Sequence, residues 1–586
     1  MKAHTQPKKL FAVVLISLTT FTVVGRTAGT GQSHEGRADR AILPNASAPS
    51  QMEQHAFLPA SGVESLAVGR FAKKATNSRA VTPDSVLFLP AVTYSAGGLF
   101  ARSLAAADVN RDGKLDVVVA NLDSNNVGVL LGNGDGTFQL AVTYDSGGVS
   151  PRSVAVADVN RDGKPDLVVA NCGGGCVSGT ELAVVSVLLG NCDGTFQPAV
   201  AYGSGGYVAA SVAVGDVNGD GKPDLLVANQ CASSVNCGNG TVAVLLGNGD
   251  GTFQPATAYD SGGSDTLSVA VGDVNADGKP DLLVANFVHT VSVLLGKGDG
   301  TFQPAAAYDS GGLNAVSVAV ADVNGDGKLD LLVDNEYASP CCANGVVGVL
   351  LGNGDGTFQT AVTYNSGGLL AEGITVADVN GDNKLDLIVA NNCLDTDCPN
   401  SGGALGVLLG NGDGTFEEAA TYRSGGVDAY SVAVGDLNAD SRPDLLVANC
   451  GSSVGCADGG IVAVLLNNTP FCTAPPVITL STTPTSLWPP NGRMVPVTVS
   501  GTITNTGCTV TTPAYAVTDE YGQIQPSGAI TLDSAGNYSF IVLLQASRLG
   551  TDLDGRQYTI TVRASDNAGN PGSASAIVTV PHDQRR

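Results

Sequence analysis

Basic charge is scarce in this chain: its 586 residues carry 29 Lys and Arg against 54 Asp and Glu, a formal net charge of −25. Nucleic acid needs a basic face to meet its phosphates, so that class of partner is excluded. Histidine is nearly missing, five in all, and tryptophan occurs once, as Trp488. His289 is the lone histidine between residues 85 and 469, and no Ser/His/Asp set or glutamate pair stands apart from the repeated pattern. The chain therefore reads as a protein without enzymatic activity. The same shortage leaves the 13 cysteines without the partners of a conventional zinc site. Long apolar runs are missing too, apart from residues 10–24 behind Lys2, Lys8 and Lys9, which have the form of a secretory leader over residues 1–28. An uncleaved N-terminal anchor is the alternative. No later run is long enough to span a bilayer, so the mature chain is expected to be secreted or held at the cell surface without a membrane span.

What is plentiful is aspartate, and it is concentrated. A nine-residue pattern returns seven times at intervals of 49 to 58 residues, and it holds 21 of the acidic side chains. Positions 1, 3, 5 and 9 offer side-chain oxygens and position 7 a backbone carbonyl, the donor set of a calcium loop. These donors are Asp108, Asn110, Asp112, Lys114 and Asp116 in the first loop, and Asp158, Asn160, Asp162, Lys164 and Asp166 in the second. The third has Asp216, Asn218, Asp220, Lys222 and Asp224; the fourth has Asp273, Asn275, Asp277, Lys279 and Asp281. Asp322, Asn324, Asp326, Lys328 and Asp330 follow, then Asp378, Asn380, Asp382, Lys384 and Asp386, and last Asp436, Asn438, Asp440, Arg442 and Asp444. Three carboxylates in one turn repel each other unless a cation neutralises them, whereas a plain Asx-Gly turn needs neither the fourth donor nor the fixed spacing. Position 6 is Gly in five loops, Asn383 in the sixth and Ser441 in the seventh, so the seventh is expected to bind most weakly.

Around each loop lie three apolar runs of four to six residues, as in SVAV, DLLVAN and VAVLLG near residue 212, and then a Pro-bearing run, FQPATAY. Bounded by Gly, Asp and Asn, these are strands, and together they form a four-stranded antiparallel unit of propeller-blade size. Strands one to three occur seven times, while an orphan fourth strand, residues 87–94, precedes the first loop. Paired with the last unit it closes a ring, and the expected fold is all-β: a seven-bladed β-propeller over residues 85–469. Residues 29–84, rich in Ala, Ser and Pro, read as a disordered linker. The GNGDGTF turns join strands, so they are hairpins rather than phosphate loops. The tyrosines that close the fourth strands (Tyr94, Tyr144, Tyr202, Tyr259, Tyr308, Tyr364 and Tyr422) recur at one register, as packing between blades requires. Sugar stacking is their alternative role.

Ten cysteines form local pairs after the second strands: Cys172/Cys176, Cys231/Cys237, Cys341/Cys342, Cys393/Cys398 and Cys450/Cys456. Disulfide clips on exposed, variable loops fit an exported chain. Cys472 and Cys508 form a further candidate pair, and Cys192, which replaces a turn glycine, is left over. After residue 470 the composition turns to Thr, Val and Pro in alternating strands, which implies a small β-sandwich over residues 470–582. Trp488 is expected to pack near its entrance, and Asp519, Glu520, Asp552, Asp554 and Asp566 to be solvated turn carboxylates, with a further calcium site as their alternative role.

The loops, their flanking strands and the GDGTF turn closely resemble the FG-GAP (VCBS) repeats of integrin α-subunits and of many secreted bacterial proteins. The final segment, RASDNAGNPGSASAIVTV, resembles bacterial immunoglobulin-like and HYR-type modules. The resemblance implies a calcium-binding propeller, with Ca²⁺ structural, acting in adhesion or ligand binding toward an extracellular protein or glycan. A carbohydrate-binding lectin and a non-catalytic part of a polysaccharide-degrading enzyme are the alternatives.

Overall fold

The computed structural model describes residues 88–173, 182–233, 238–339, 344–398, 400–453, 456–469, 475–505, 510–523, 525–533, 535–566 and 570–582. The leader and linker assigned to residues 1–84 lie outside this set, as do Cys176, Cys237, Cys341, Cys342, Cys472 and Cys508.

Short Val, Leu and Ala runs between Gly- and Asp-rich turns form strands almost throughout; among the described residues one 3-10 turn, Leu122–Ser124, interrupts them. The first sheet takes Ala101–Ala107, Asp116–Asn121, Asn126–Leu130 and Val142–Asp145 in chain order, all antiparallel. Residues 151–203, 207–260 and 266–309 repeat that order. Residues 313–423 form one seven-stranded sheet, because the 16-residue strand Val362–Ala377 ends one four-strand set and begins the next. The last sheet takes Val427–Gly435, Asp444–Gly451 and Ile461–Leu465, and its outer strand is Val92–Ser95, with Val92 opposite Val464 and Ser95 opposite Ile461. The orphan strand thus fills the place that the unmatched ends of the repeat leave for it. The arrangement is a β-propeller.

Second strands are buried along their first six residues, as in Asp116–Asn121, while fourth strands such as Val142–Asp145 are largely exposed. Burial on both faces explains why the second strands read as unbroken apolar runs. Neighbouring sheets share their cores. Val118 and Val127 pack with Val154 and Leu167, and Leu104 and Val117 pack with Leu446 and Val464, so the last sheet meets the first. An aromatic pair clamps each junction. Tyr144 meets Phe196 edge-on at 5.4 Å between ring centroids and gives its hydroxyl proton to the Gly194 carbonyl at 3.3 Å. Tyr94–Phe138, Tyr202–Phe253, Tyr259–Phe302, Tyr308–Phe358 and Tyr364–Phe416 repeat this contact, and Tyr422 meets Phe88 of the orphan segment. The tyrosines therefore serve packing, with the phenylalanine of the GDGTF turn as partner.

Residues 475–582 form two further sheets. One contains Met494–Thr504 and Asn537–Gln545; the other contains Val510–Asp519, Arg556–Asp566 and Pro571–Val580. Val497, Val499 and Val542 of the first share a core with Tyr558, Ile560 and Val578 of the second. Three expectations need correction here. Trp488 is 45% exposed; its neighbour Leu487, bonded from N–H to the Thr579 carbonyl at 2.8 Å, is the residue buried in the core instead. Asp519 is buried rather than solvated, ion-paired with a buried Arg556 that also donates to Gln523 at 2.7 Å. Asp566 is buried as well and accepts from Asn505 and Asn570 at 3.1 and 2.9 Å.

Candidate metal centres

Each nine-residue loop joins the first and second strands of a set, and its conformation follows from its own side chains. In the first loop Asp108 accepts the N–H groups of Asp112 and Gly113 at 3.0 and 2.8 Å. Asn110 accepts from Asp112 at 2.9 Å, and Asp112 from Lys114 at 3.0 Å. Such side-chain-to-backbone bonds are what Asp and Asn do in turns. Position 6 takes a left-handed backbone in every loop, including Asn383 at φ 62° and Ser441 at φ 66°. Position 4 does so too, at Arg111, Arg161, Ala276 and Ala439 among others, a requirement the sequence pattern did not reveal.

The position-9 carboxylate has a different role. Asp116 is fully buried; one oxygen accepts Val109 N–H at 2.9 Å and the other accepts Gly132 N–H at 2.8 Å. It ties its own loop to the turn that follows the third strand. Asp166, Asp224, Asp281, Asp330 and Asp386 do the same with Gly190, Gly247, Gly296, Gly352 and Gly410. In the seventh loop Asp444 holds Asn467 N–H at 2.7 Å. Gly132 has to be glycine for a steric reason: a Cβ there would stand 2.1 Å from the Leu115 carbonyl oxygen. The first glycine of the GNGDGTF turn is thus part of the loop's support, and its recurrence is the signal that could have revealed it.

Burial pushes the position-9 carboxyls up, from Asp116 through Asp330, with Asp386 reaching about 7 and Asp444 about 6. The position-5 carboxylates push the same way. At the surface the position-7 side chain leans over the position-5 carboxylate, at 3.0 Å for Lys164–Asp162 and 3.7 Å for Arg442–Asp440. Half-exposed pairs of this kind contribute at most about 1 kcal/mol. The donor set of each loop is all oxygen, crowded and under-compensated, which fits a hard divalent cation. The structure places the donors at positions 1, 3, 5 and 7 of every loop in one turn, whereas the position-9 carboxylate opens the second strand and faces backbone N–H groups, so among the described residues no loop brings its three carboxylates within 4.8 Å of one another. Among the described residues, one group of three Asp, Glu, His or Cys ligand atoms lies within 4.8 Å of one another: Asp428, Cys450 and Cys456.

The opposite ends of the strands carry residues that sequence reasoning missed. Every first strand starts with a bulge, as between Ala101 and Ser103, behind a left-handed residue such as Phe100 or Asp428. The extra residue is Arg102, Arg152, Ala210, Leu267, Val316, Glu372 or Tyr430, variable in a strand that otherwise barely changes. Bulges re-aim side chains, and here they bury charge. Arg102 lies 4.5 Å from the Tyr430 ring centroid, Arg152 donates to Gln230 at 3.0 Å, and Glu372 accepts from Asn392 at 2.6 Å. Burial, with Arg102's charge beside it, holds Arg152 down to about 9, and burial lifts Glu336 to about 6.

The cysteine clips are in place where they are described. Cys393–Cys398 and Cys450–Cys456 are disulfides with Cα atoms 5.4 and 5.3 Å apart. Cys172 and Cys231 are disulfide-bonded as well, and Cys192 is free. No helix of the described residues is long and apolar enough to cross a membrane.

Comparison with known families gives matches to the FG-GAP-like repeat over residues 89–169, 232–284, 273–333, 338–389 and 395–447, and to the FG-GAP repeat over residues 208–245. A search of curated proteins finds no match. Among solved structures the chain is similar to two crystal structures of BBS1N in complex with ARL6DN, one soaked with mercury and one with lead. Identity is 14% and 13%, the TM-score is 0.41 for both, and the matches cover 66% of this chain and 98% and 99% of theirs.

Proposed function

This chain is an FG-GAP repeat protein, and from that premise we propose that it is an exported, calcium-loaded adhesion or ligand-binding module. Its propeller is read as a closed ring of seven blades, followed by an immunoglobulin-like sandwich, with no catalytic role. Calcium is structural. Bound in each loop by the donors at positions 1, 3, 5, 7 and 9, it neutralises the crowded carboxylates and holds the first strand to the second. One observation carries this reading: in all seven loops a buried aspartate links the candidate site to the turn beyond the third strand. Filling the loop would then stiffen three strands at once. The test is a melt of the purified protein in millimolar calcium and again in EDTA. A large downward shift on chelation is expected, and superimposable melts would refute the reading.

A glycan ligand is the second reading, and one feature favours it. A cleft of about 440 Å³ lies beside the continuous strand, lined by Asn344, Asn365, Leu369, Asp395, Glu418 and Thr421. Its size suits a small ligand, and its amides and carboxylates suit hydroxyl groups. A glycan array with no binding would dismiss it.

A further inference from the structure

Asp428 sits in the left-handed bulge at the start of the last sheet, at φ 49°. Its Oδ2 lies 3.4 Å from Cys450 Sγ and 3.8 Å from Cys456 Sγ. Disulfide sulfurs carry no proton, so neither contact is a hydrogen bond, and no other group among the described residues donates to this carboxylate. Phe100, Val427 and Tyr430 surround the group with apolar surface. A carboxylate held against two sulfurs in such surroundings is costly and calls for a counter-charge. The separations state which kind. Tetrahedral coordination with Zn–S near 2.3 Å and Zn–O near 2.0 Å puts sulfur and oxygen about 3.5 Å apart. The present 3.4 and 3.8 Å already bracket that edge length. Only the sulfur–sulfur distance is wrong, because a covalent bond spans it.

We infer that reduction of Cys450–Cys456 opens a metal site in which both thiolates and the Asp428 carboxylate hold a borderline divalent cation such as zinc, with a fourth position for water. A dithiol reductant breaks the S–S bond. The two sulfurs gain two electrons and two protons, and the reductant closes to its own disulfide. Metal binding then releases both thiol protons to solvent. The cation reverses the electrostatics of the group: without it the carboxylate disfavours thiolates beside it, and with it all three anions are neutralised. Cys393–Cys398 has no such third donor among the described residues, so it serves as the internal control.

The test uses the full chain in saturating calcium, to occupy oxygen-only sites, reduced by a phosphine and titrated anaerobically with Cd²⁺. Thiolate-to-cadmium charge-transfer absorbance is the readout. Wild type is expected to show a tight site that Cys450→Ser abolishes, that Asp428→Asn weakens about tenfold or more, and that a Cys393→Ser/Cys398→Ser double variant retains. Asp428→Asn titrating like wild type, or loss of the site following the Cys393/Cys398 change, overturns the inference. A second measurement needs no variant: Zn²⁺ should shield Cys450 and Cys456 of the reduced wild type from alkylation, read by mass spectrometry. Equal labelling with and without zinc overturns it as well.

Discussion

Asp334 occupies a second-strand position where the six other copies have Ala120, Ala170, Ala228, Ala285, Ala390 and Ala448. It is fully buried opposite Ser317 and Val347, and neither carboxylate oxygen accepts a hydrogen bond. Burial first, and the charge of Glu336 on the same strand second, push its carboxyl well above the usual range. The folded chain therefore binds this proton more tightly than the unfolded chain does. Its contribution to stability is complete below the unfolded value near 4 and is lost as pH rises through the folded value, at about 1.4 kcal/mol per pH unit. Asp334→Ala restores the repeat and removes that slope, so the variant should gain on wild type by about 1.4 kcal/mol for each pH unit above the unfolded value until the folded value is reached, read from the propeller's denaturation midpoint. Asp334→Asn should lose the slope equally while keeping a buried polar group without partners, and so should be less stable than Asp334→Ala. Glu336 titrates in both variants and cancels between them. Wild type and Asp334→Ala changing in parallel between pH 5 and 7 would show that Asp334 is charged in the native protein, and the reasoning would fail.

Three further outcomes are expected. Asp281→Asn turns an amide N–H₂ toward either Val274 or Gly296 N–H, where a carboxylate oxygen now accepts at 3.0 and 2.8 Å. It should lower the midpoint more in calcium than in EDTA, because only in calcium is a ligand charge lost as well; an equal loss in both would argue against a filled loop. Phe302→Ala empties an aromatic clamp 4% exposed and should cost about 3–5 kcal/mol in urea unfolding; a change under about 1 kcal/mol would show the clamp to be dispensable. Arg556→Ala strands the buried Asp519 carboxylate and should cost the C-terminal sheets about 3–5 kcal/mol, seen as an earlier calorimetric transition, while a Lys replacement should recover only part.

Spacing made the repeat legible. Its apolar runs are strands because each is short, β-prone and stopped by Gly or Asp, and those are local properties that any copy shows by itself. The tyrosine register was legible for the same reason: one residue in every unit at one place has to meet something that also recurs. The partner, the GDGTF phenylalanine, was missed because it lies about 50 residues on, on the next sheet, and nothing local marks the contact. Trp488, Asp519 and Asp566 were misplaced because burial beyond the repeats depends on which strand of the opposing sheet covers a residue. Outside a periodic array that is not written in the spacing.

What this chain's sequence determined alone is the unit: four strands, a nine-residue oxygen-rich loop, and an unmatched strand at one end that must pair with the other. Short-range sterics and hydrogen bonding set those, and they act between residues close in the chain. Tertiary structure alone decided where the exceptions go. Asp334 buried between Ser317 and Val347, Arg102 aimed at Tyr430, and Asp428 held against a disulfide are each unremarkable in a string of letters. They acquire chemistry only when sheets far apart in sequence close around them and remove the water.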